Sequence, residues 1–581
     1  MSKWWQRAVF YQIYPQSFKD SDGDGIGDLR GITSKVSYLH ELGIQAVWLN
    51  PIYASPMIDN GYDIADYRQI NPVYGTMADF EEMLTQLHAH QIKLVMDLVV
   101  NHTSDQHPWF QASRQSRDDP FSDYYIWADP RADGSAPNNW GSTFGGSAWT
   151  YVPARGQYYL HLFSPAQPDL NWRNPVVREE VYRLMRFWFD KGIDGFRMDV
   201  INLLSKPEHF EDRPKDPGSE YADFYPVVAN GPEMHAYLHE MYDRVLKDYE
   251  GMTVGEMPHV TPDEAKRYTD PARHELNMVF QFDHTYIDEG QYGKFSTVRF
   301  KLSDLKQTLD RWQLALNETG WNALYLGNHD QPRVVSRFGD EHQHREASAK
   351  MLATLLLCQK GTPFFLQGDE LGMTNVHLPL EAYRDIDTRN AIRMLSRQGC
   401  GVADVRQMVY NKSRDNARTP FQWSSAEHAG FSTHAPWLAV NPNFAAINLA
   451  EQQTRTDSVF HYYQRLLAFC QTDETIIAGD YRPVATADSA VYSYMRCHGE
   501  TRYLVICSFA ATPVRYLLPV EPEAVARVVL SSAEERAHAA VTQYLTLAPF
   551  EATVLALNTN EEVSGCSVSG RWRAQSEPAQ R

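Results

Sequence analysis

A chain of 581 residues with a formal charge of −19, 43% hydrophobic and 22% charged residues has the composition of a folded protein of two or three domains. Its acidic balance excludes nucleic acid and anionic membranes as partners, and no apolar run reaches the roughly 20 residues that span a bilayer. Six scattered cysteines without metal-like spacing, behind an N-terminus with no signal-peptide layout, lead to an expectation of reduced thiols and a cytoplasmic location.

Short apolar strands alternate with helix-sized segments over the first 370 residues. The pattern predicts strands at Ala8–Tyr14, Ala46–Leu49, Lys93–Val99, Gly195–Val200, Thr253–Glu256, Met278–Phe282, Ala323–Leu326 and Pro363–Gln367. Eight such units predict an α/β fold, a parallel (β/α)8 barrel. One unit shows the logic. Asn174 and Pro175 open a helix whose apolar positions Val177, Val181, Leu184, Met185 and Trp188 share one face, and Lys191-Gly192 closes it. In the strand that follows, alternation puts Phe196, Met198 and Val200 on one side, Arg197 and Asp199 on the other.

Residues 103–170, rich in Asp, Pro, Gly, Trp and Tyr, interrupt the alternation and read as an inserted subdomain. The barrel is then expected over 1–102 and 171–480. A C-terminal antiparallel β domain, sandwich-like, is expected over 481–559, and a polar, disordered tail over 560–581.

Three acids fall at predicted strand ends: Asp199, Glu256 and Asp330. The strand ends of such a barrel face one mouth, where active sites lie. Cleaving a glycosidic bond with retention needs one carboxylate to attack and one carboxylic acid to protonate the leaving oxygen, about 5 Å apart. Arg197 would point the same way as Asp199 and keep it ionised.

The segments DLVVNH (97–102), QPDLN (167–171), GFRMDV (195–200), GEM (255–257) and NHDQPR (328–333) occur in the order found in glycoside hydrolase family 13. The chain resembles this α-amylase family from residue 5 to about residue 557. The resemblance implies Asp199 as nucleophile, Glu256 as acid/base and Asp330 as the carboxylate that grips substrate hydroxyls. It implies His102, His329 and Arg197 around the first sugar. Asp59 and Tyr62 of DNGYD, with Arg414 of RDNARTP, would close the pocket behind one glucose, which implies exo-action on short oligosaccharides. Phe144 and Phe163 resemble aromatics that flank the scissile bond.

Val200, next to the nucleophile, resembles α-1,6-acting enzymes, and the surrounding segments look closest to the oligo-1,6-glucosidase branch. Trehalose-6-phosphate hydrolase, sucrose isomerase or trehalulose hydrolase, and α-1,4-glucosidase remain the alternatives, with a non-catalytic sugar-binding or transporter-associated relative as the reading from another class. In DSDGDGIGD, the side chains of Asp20, Asp22, Asp24 and Asp28 and the carbonyl of Ile26 have the spacing of a calcium loop, which magnesium could also fill. Gly31 stands where an EF-hand needs Glu, so the loop is not an EF-hand; it resembles a structural calcium site of this branch. No organic cofactor site appears, the only partner expected is a small oligosaccharide substrate, and a monomer is expected, with a homodimer as the alternative.

Overall fold

The structure is a computed structural model and describes residues 2–557 except 485–488, 520–525, 534, 535, 537 and 538. The predicted tail at 560–581 lies outside the described residues. Eight parallel strands form one sheet: β1 Phe10–Ile13, β2 Ala46–Leu49, β3 Lys93–Leu98, β4 Gly195–Met198, β5 Met252–Glu256, β6 Met278–Phe280, β7 Ala323–Leu324 and β8 Thr362–Leu366. Their order is β6-β5-β4-β3-β2-β1-β8-β7, and a parallel bridge from Val279 to Asn322 joins β6 to the start of β7. The sheet is thus the expected (β/α)8 barrel.

Alternation along each strand divides the barrel into layers. Phe10, Ala46, Val95, Met252, Met278 and Phe364 belong to one apolar cluster that fills the interior, while Tyr11, Val47, Leu94, Phe196 and Phe365 pack outward against the helices. Further along the same inward positions stand Gln12, Asp97, Arg197 and Glu256, all buried. The bottom of the barrel is therefore packed, and its top is polar. The helix Pro175–Asp190 is capped by Asn174, whose side chain accepts from the Val176 N–H, and it buries Val177, Val181, Leu184, Met185 and Trp188 as the spacing predicts. Gly195 opens β4 in close approach to β5: a Cβ there would lie 2.3 Å from the Met252 carbonyl oxygen.

The connection after β3 carries a three-stranded antiparallel sheet made of Trp127–Ala128, Gln157–Leu160 and Trp149–Val152. At the other end of the chain, the hairpin Val491–His498/Thr501–Ser508 lies at the heart of an antiparallel sheet with its own apolar cluster around Leu504, Ile506, Val528 and Leu555. The described part of this region also holds a separate two-stranded ribbon, Val514–Leu517 with Tyr544–Leu547.

The predicted strands Ala8–Tyr14 and Met278–Phe282 overrun the observed Phe10–Ile13 and Met278–Phe280, and two further corrections touch site residues. β4 stops at Met198, and Val200 takes a left-handed backbone at φ 33°, so it does not continue the alternation. β7 stops at Leu324, and Asp330 sits on the loop beyond it rather than at the strand end. In both places the chain turns across the barrel mouth, and a turn cancels the period of two.

Candidate active site

Arg197 organises the polar layer. Its guanidinium lies 2.6 Å from Asp97 Oδ1 on β3, 2.6 Å from Asp199 Oδ1 and 2.6 Å from Glu256 Oε2 on β5. All four side chains are buried. Trp48 donates its indole N–H to Asp97 Oδ2 at 2.9 Å, and the guanidinium lies 5.0 Å from the Trp48 ring centroid. Three carboxyls thus share one cation in a buried site, and they cannot all ionise easily.

Glu256 carries the consequence. Burial raises its pKa; Arg197 and the Val200 N–H oppose this, while Asp199 and Asp330 reinforce it, and the result is about 8. Burial also raises Asp199, to about 6, against the pull of Arg197 and a hydrogen bond from Glu256. At neutral pH the site holds a protonated Glu256 beside an ionised Asp199.

A second knot forms around Arg414 and Arg418, four residues apart in RDNARTP. Arg414 reaches Asp59 Oδ1 at 2.9 Å, Asp330 Oδ1 at 3.1 Å and Asp385 Oδ1 at 2.6 Å. Arg418 reaches Asp330 Oδ1 at 2.8 Å and donates to the His329 carbonyl at 3.0 Å. Burial opposes the charge on Asp330, yet its pKa falls well below the usual range beside His329, Arg414 and Arg418. Burial keeps the His329 imidazole neutral, so at neutral pH the two guanidiniums hold Asp330 ionised.

Neutral groups complete the pocket. Gln12 Nε2 lies 2.8 Å from His329 Nδ1, which leaves the histidine proton on Nε2, 3.4 Å from Asp330 Oδ2. The Tyr62 ring stacks on His329 at 5.3 Å and 10°. Gln167 donates to Asp59 Oδ2 at 3.1 Å and touches His102 Nε2 at 3.2 Å. Phe144 and Phe163 stand 5.7 Å apart and share an apolar cluster with Val200. The twelve residues expected at the chemistry are therefore brought to one mouth.

Sequence reasoning missed Asp97, Arg418 and Asp385, although Asp97 and Arg418 lie inside motifs it had singled out. It also missed Lys206. The buried ammonium of Lys206 lies 2.8 Å from Asp169 Oδ2 and donates to Asn101 Oδ1. Asp169 accepts the Leu162 N–H at 3.0 Å, and Leu170 N–H reaches the Asn101 carbonyl at 2.9 Å. This clasp fastens the base of the excursion after β3 to the barrel, next to His102.

In the acidic loop, carboxylate oxygens of Asp20, Asp22 and Asp28 lie within 4.8 Å of one another. The exposed Asp24 carboxylate, which accepts the Ile26 N–H at 2.7 Å, lies outside this cluster, and the Ile26 carbonyl belongs to the same turn. The gathered donors are all hard oxygens, which fits a calcium-like cation. Among the described residues no helix is long and apolar enough to cross a membrane.

Residues 12–479 match the family model "Alpha amylase, catalytic domain". An oligo-1,6-glucosidase of Parageobacillus thermoglucosidasius is 51% identical over 553 residues, 95% of this chain and 98% of that protein. A trehalose-6-phosphate hydrolase of Bacillus subtilis is 45% identical over 559 residues, 95% and 98% respectively. Among solved structures, the trehalulose synthase of Pseudomonas mesoacidophila superposes with a TM-score of 0.92 at 43% identity, covering 96% of this chain and 100% of that one. With its barrel and polar mouth in place, the chain belongs to the α-amylase catalytic-domain family.

Proposed function

We propose that this chain is a retaining, exo-acting α-glucosidase that hydrolyses the terminal α-1,6 linkage of short oligosaccharides such as isomaltose, isomaltulose and panose. One observation carries the mechanism: the buried carboxyls of Asp199 and Glu256 each lie 2.6 Å from the Arg197 guanidinium, and burial raises the pKa of Glu256 further than that of Asp199. A carboxylate of Asp199 attacks the anomeric carbon while Glu256 gives its proton to the departing glycosidic oxygen. The covalent glucosyl ester on Asp199 is then cleaved by water, whose proton returns to Glu256, and Asp199 leaves as carboxylate. Asp330, held ionised by Arg414 and Arg418, and the neutral His102 and His329 are suited to grip the glucose hydroxyls. The Asp59–Arg414 pair supports exo-action, because it closes the pocket behind one sugar. A panel of isomaltose, isomaltulose, panose, maltose, sucrose, trehalose and trehalose-6-phosphate, with NMR of the first anomer released, tests the reading. Initial β-glucose would contradict it, as would maltose turned over faster than isomaltose.

Val200 supports the choice of linkage. It lies against Phe144 and Phe163 at the mouth, and its own N–H donates to Glu256 Oε2 at 3.1 Å. On this reading its side chain crowds an α-1,4-linked acceptor, whereas the extra methylene of an α-1,6 linkage lets the ring swing away. Val200→Thr keeps the shape and adds a hydroxyl worth roughly 0.5–1.5 kcal/mol. The maltose-to-isomaltose ratio of kcat/KM is expected to rise several-fold, to about tenfold at most. Val200→Ala isolates the steric part. Unchanged ratios in both variants remove Val200 from linkage choice.

We assign a structural calcium ion to Asp20, Asp22 and Asp28, with the Asp24 carboxylate and the Ile26 carbonyl of the same turn as its further ligands, outside the charge networks of Arg197 and Arg414. Metal that binds only the folded chain stabilises it increasingly as the free metal concentration rises. Chelation is expected to lower Tm while leaving initial rates at mild temperature unchanged; immediate loss of turnover in a still-folded sample would argue for a catalytic metal. The sulfurs of Cys358 and Cys470, in hydrogen-bond contact at 4.0 Å rather than joined as a disulfide, fit the reducing cytoplasm as the enzyme's location.

A further inference from the structure

Gln12 lies on β1 and Asn50 directly follows β2, where its N–H reaches the Ile13 carbonyl at 3.0 Å. Both side chains are buried. A continuous line of hydrogen bonds runs through them from one charge network of the site to the other. Tyr62 donates its hydroxyl to Asp97 Oδ2 at 3.3 Å and accepts an N–H from Asn50 Nδ2 at 2.6 Å. Asn50 Oδ1 accepts from Gln12 Nε2 at 2.8 Å, and the same Nε2 stands 2.8 Å from His329 Nδ1. The direction of this line is fixed at its first member. Arg197 and the Trp48 indole can only donate, and both are turned on Asp97, so its oxygens accept. The one proton of the Tyr62 phenol therefore goes to Asp97, and its oxygen takes the amide N–H of Asn50. That turns Asn50 Oδ1 towards Gln12, which answers with its NH2 group and has a second hydrogen left for His329. Only an unprotonated Nδ1 accepts it, which places the imidazole proton on Nε2, 3.4 Å from Asp330 Oδ2. Three rings hold the plane of the imidazole: Tyr62 at 5.3 Å and 10°, Tyr14 at 6.2 Å and 27°, and Trp48 edge-on at 5.7 Å.

Resting on the α-glucosidase reading above, we propose that Gln12 and Asn50 are positioning residues, which carry the polarity of Asp97 to His329 and hold its proton on Nε2 for a hydroxyl of the first glucose. Neither needs to touch the sugar. A neutral imidazole has one donor and one acceptor nitrogen, and the partner of one nitrogen sets the role of the other. With Nε2 as donor, a glucose hydroxyl accepts from His329 and donates to the ionised Asp330 at once. In the reversed tautomer, Nε2 and the Asp330 carboxylate are two acceptors facing each other, and the hydroxyl is held by one bond only. The relay also ties the network of Arg197, which holds the nucleophile, to the network of Asp330, which grips the substrate. Both are then ordered before the sugar arrives, and the donor needs no reorganisation during the reaction.

Two measurements test this. Nitrogen NMR of enzyme carrying isotope-labelled histidine, with the His329 signals assigned by their loss in His329→Asn, reads the tautomer at neutral pH without substrate. The Nε2–H form is expected in wild type, and an Nδ1–H form overturns the proposal. Gln12→Met keeps the length of the side chain and removes the donor. It is expected to lower kcat/KM on an aryl α-glucoside about tenfold, the worth of one hydrogen bond. A loss that is merely structural is the same whether or not His329 is present. In a His329→Asn background, Gln12→Met is instead expected to cost less than about twofold. Equal losses in both backgrounds overturn the proposal, as does wild-type kcat/KM in the single variant. If Gln12→Met does not fold, Asn50→Ala, which frees Gln12 to turn its amide over, is run through the same cycle. An aryl α-glucoside keeps the first glucose and drops the second sugar, so a failed linkage reading leaves the test intact. If no α-glucoside is turned over, the glucosidase reading fails alone, and the His329 tautomer still decides the relay.

Discussion

Asp199→Asn is expected to lower kcat on isomaltose by about four decades or more, with Tm close to wild type. An amide cannot form the glycosyl ester, yet it fills the same space and can still accept from Arg197, 2.6 Å away. Glu256→Gln is expected to behave differently. It cannot donate a proton, so it should retain far more activity on an aryl glucoside, whose leaving group departs unprotonated, than on isomaltose. The two substrates measured side by side separate the roles. Wild-type rates on isomaltose in either variant would overturn the assignment.

The same pair predicts the pH profile. Asp199 and Glu256 titrate together, so kcat/KM should fall on the acid side near pH 6 and on the alkaline side near pH 8. The sign for stability follows from the raised folded-state pKa of Glu256. Its protonated form favours the fold below the ordinary value of 4.5, and this contribution is lost as pH rises to about 8. Glu256→Gln never ionises, so it should melt above wild type at alkaline pH and close to it below pH 4.5. A Tm difference that does not change with pH would mean that burial is not what raises the acid.

Lys206→Met is the second large effect, and it falls on stability. The variant removes the cation between Asp169 and Asn101 and leaves a buried carboxylate facing an apolar chain. Breaking a buried ion pair from one side costs about 3–5 kcal/mol. A drop in Tm of more than about 5 °C is expected. The excursion after β3 also carries Phe144 and Phe163, so KM should rise as its base loosens. Adding Asp169→Asn removes the stranded charge and is expected to recover at least about half of the loss, as coupled neighbours do. Additive losses in the double variant would show that Lys206 acts by packing alone.

How far the site could be read in advance depended on distance along the chain. Arg197 and Asp199 sit two residues apart, so strand alternation alone suggests that they share a face, and the 2.6 Å contact bears this out. The helix Pro175–Asp190 announced its cap, its first turn and its buried face within 16 residues. Glu256 at the end of β5 was legible because the strand itself carries it.

What the sequence determined by itself was therefore whatever short-range periodicity and local hydrogen bonds dictate: eight strands, capped helices, the excursion after β3, and motifs whose order gives the family. Only the tertiary structure decided which charges meet. Arg414 joins Asp59, 355 residues away, to Asp330 and Asp385; Asp97 and Glu256 converge on Arg197 from neighbouring strands; Lys206 finds Asp169 across the root of an insertion. The physical reason is that a buried charge is tolerable only where its partners are, and closing the barrel is what brings those partners within reach.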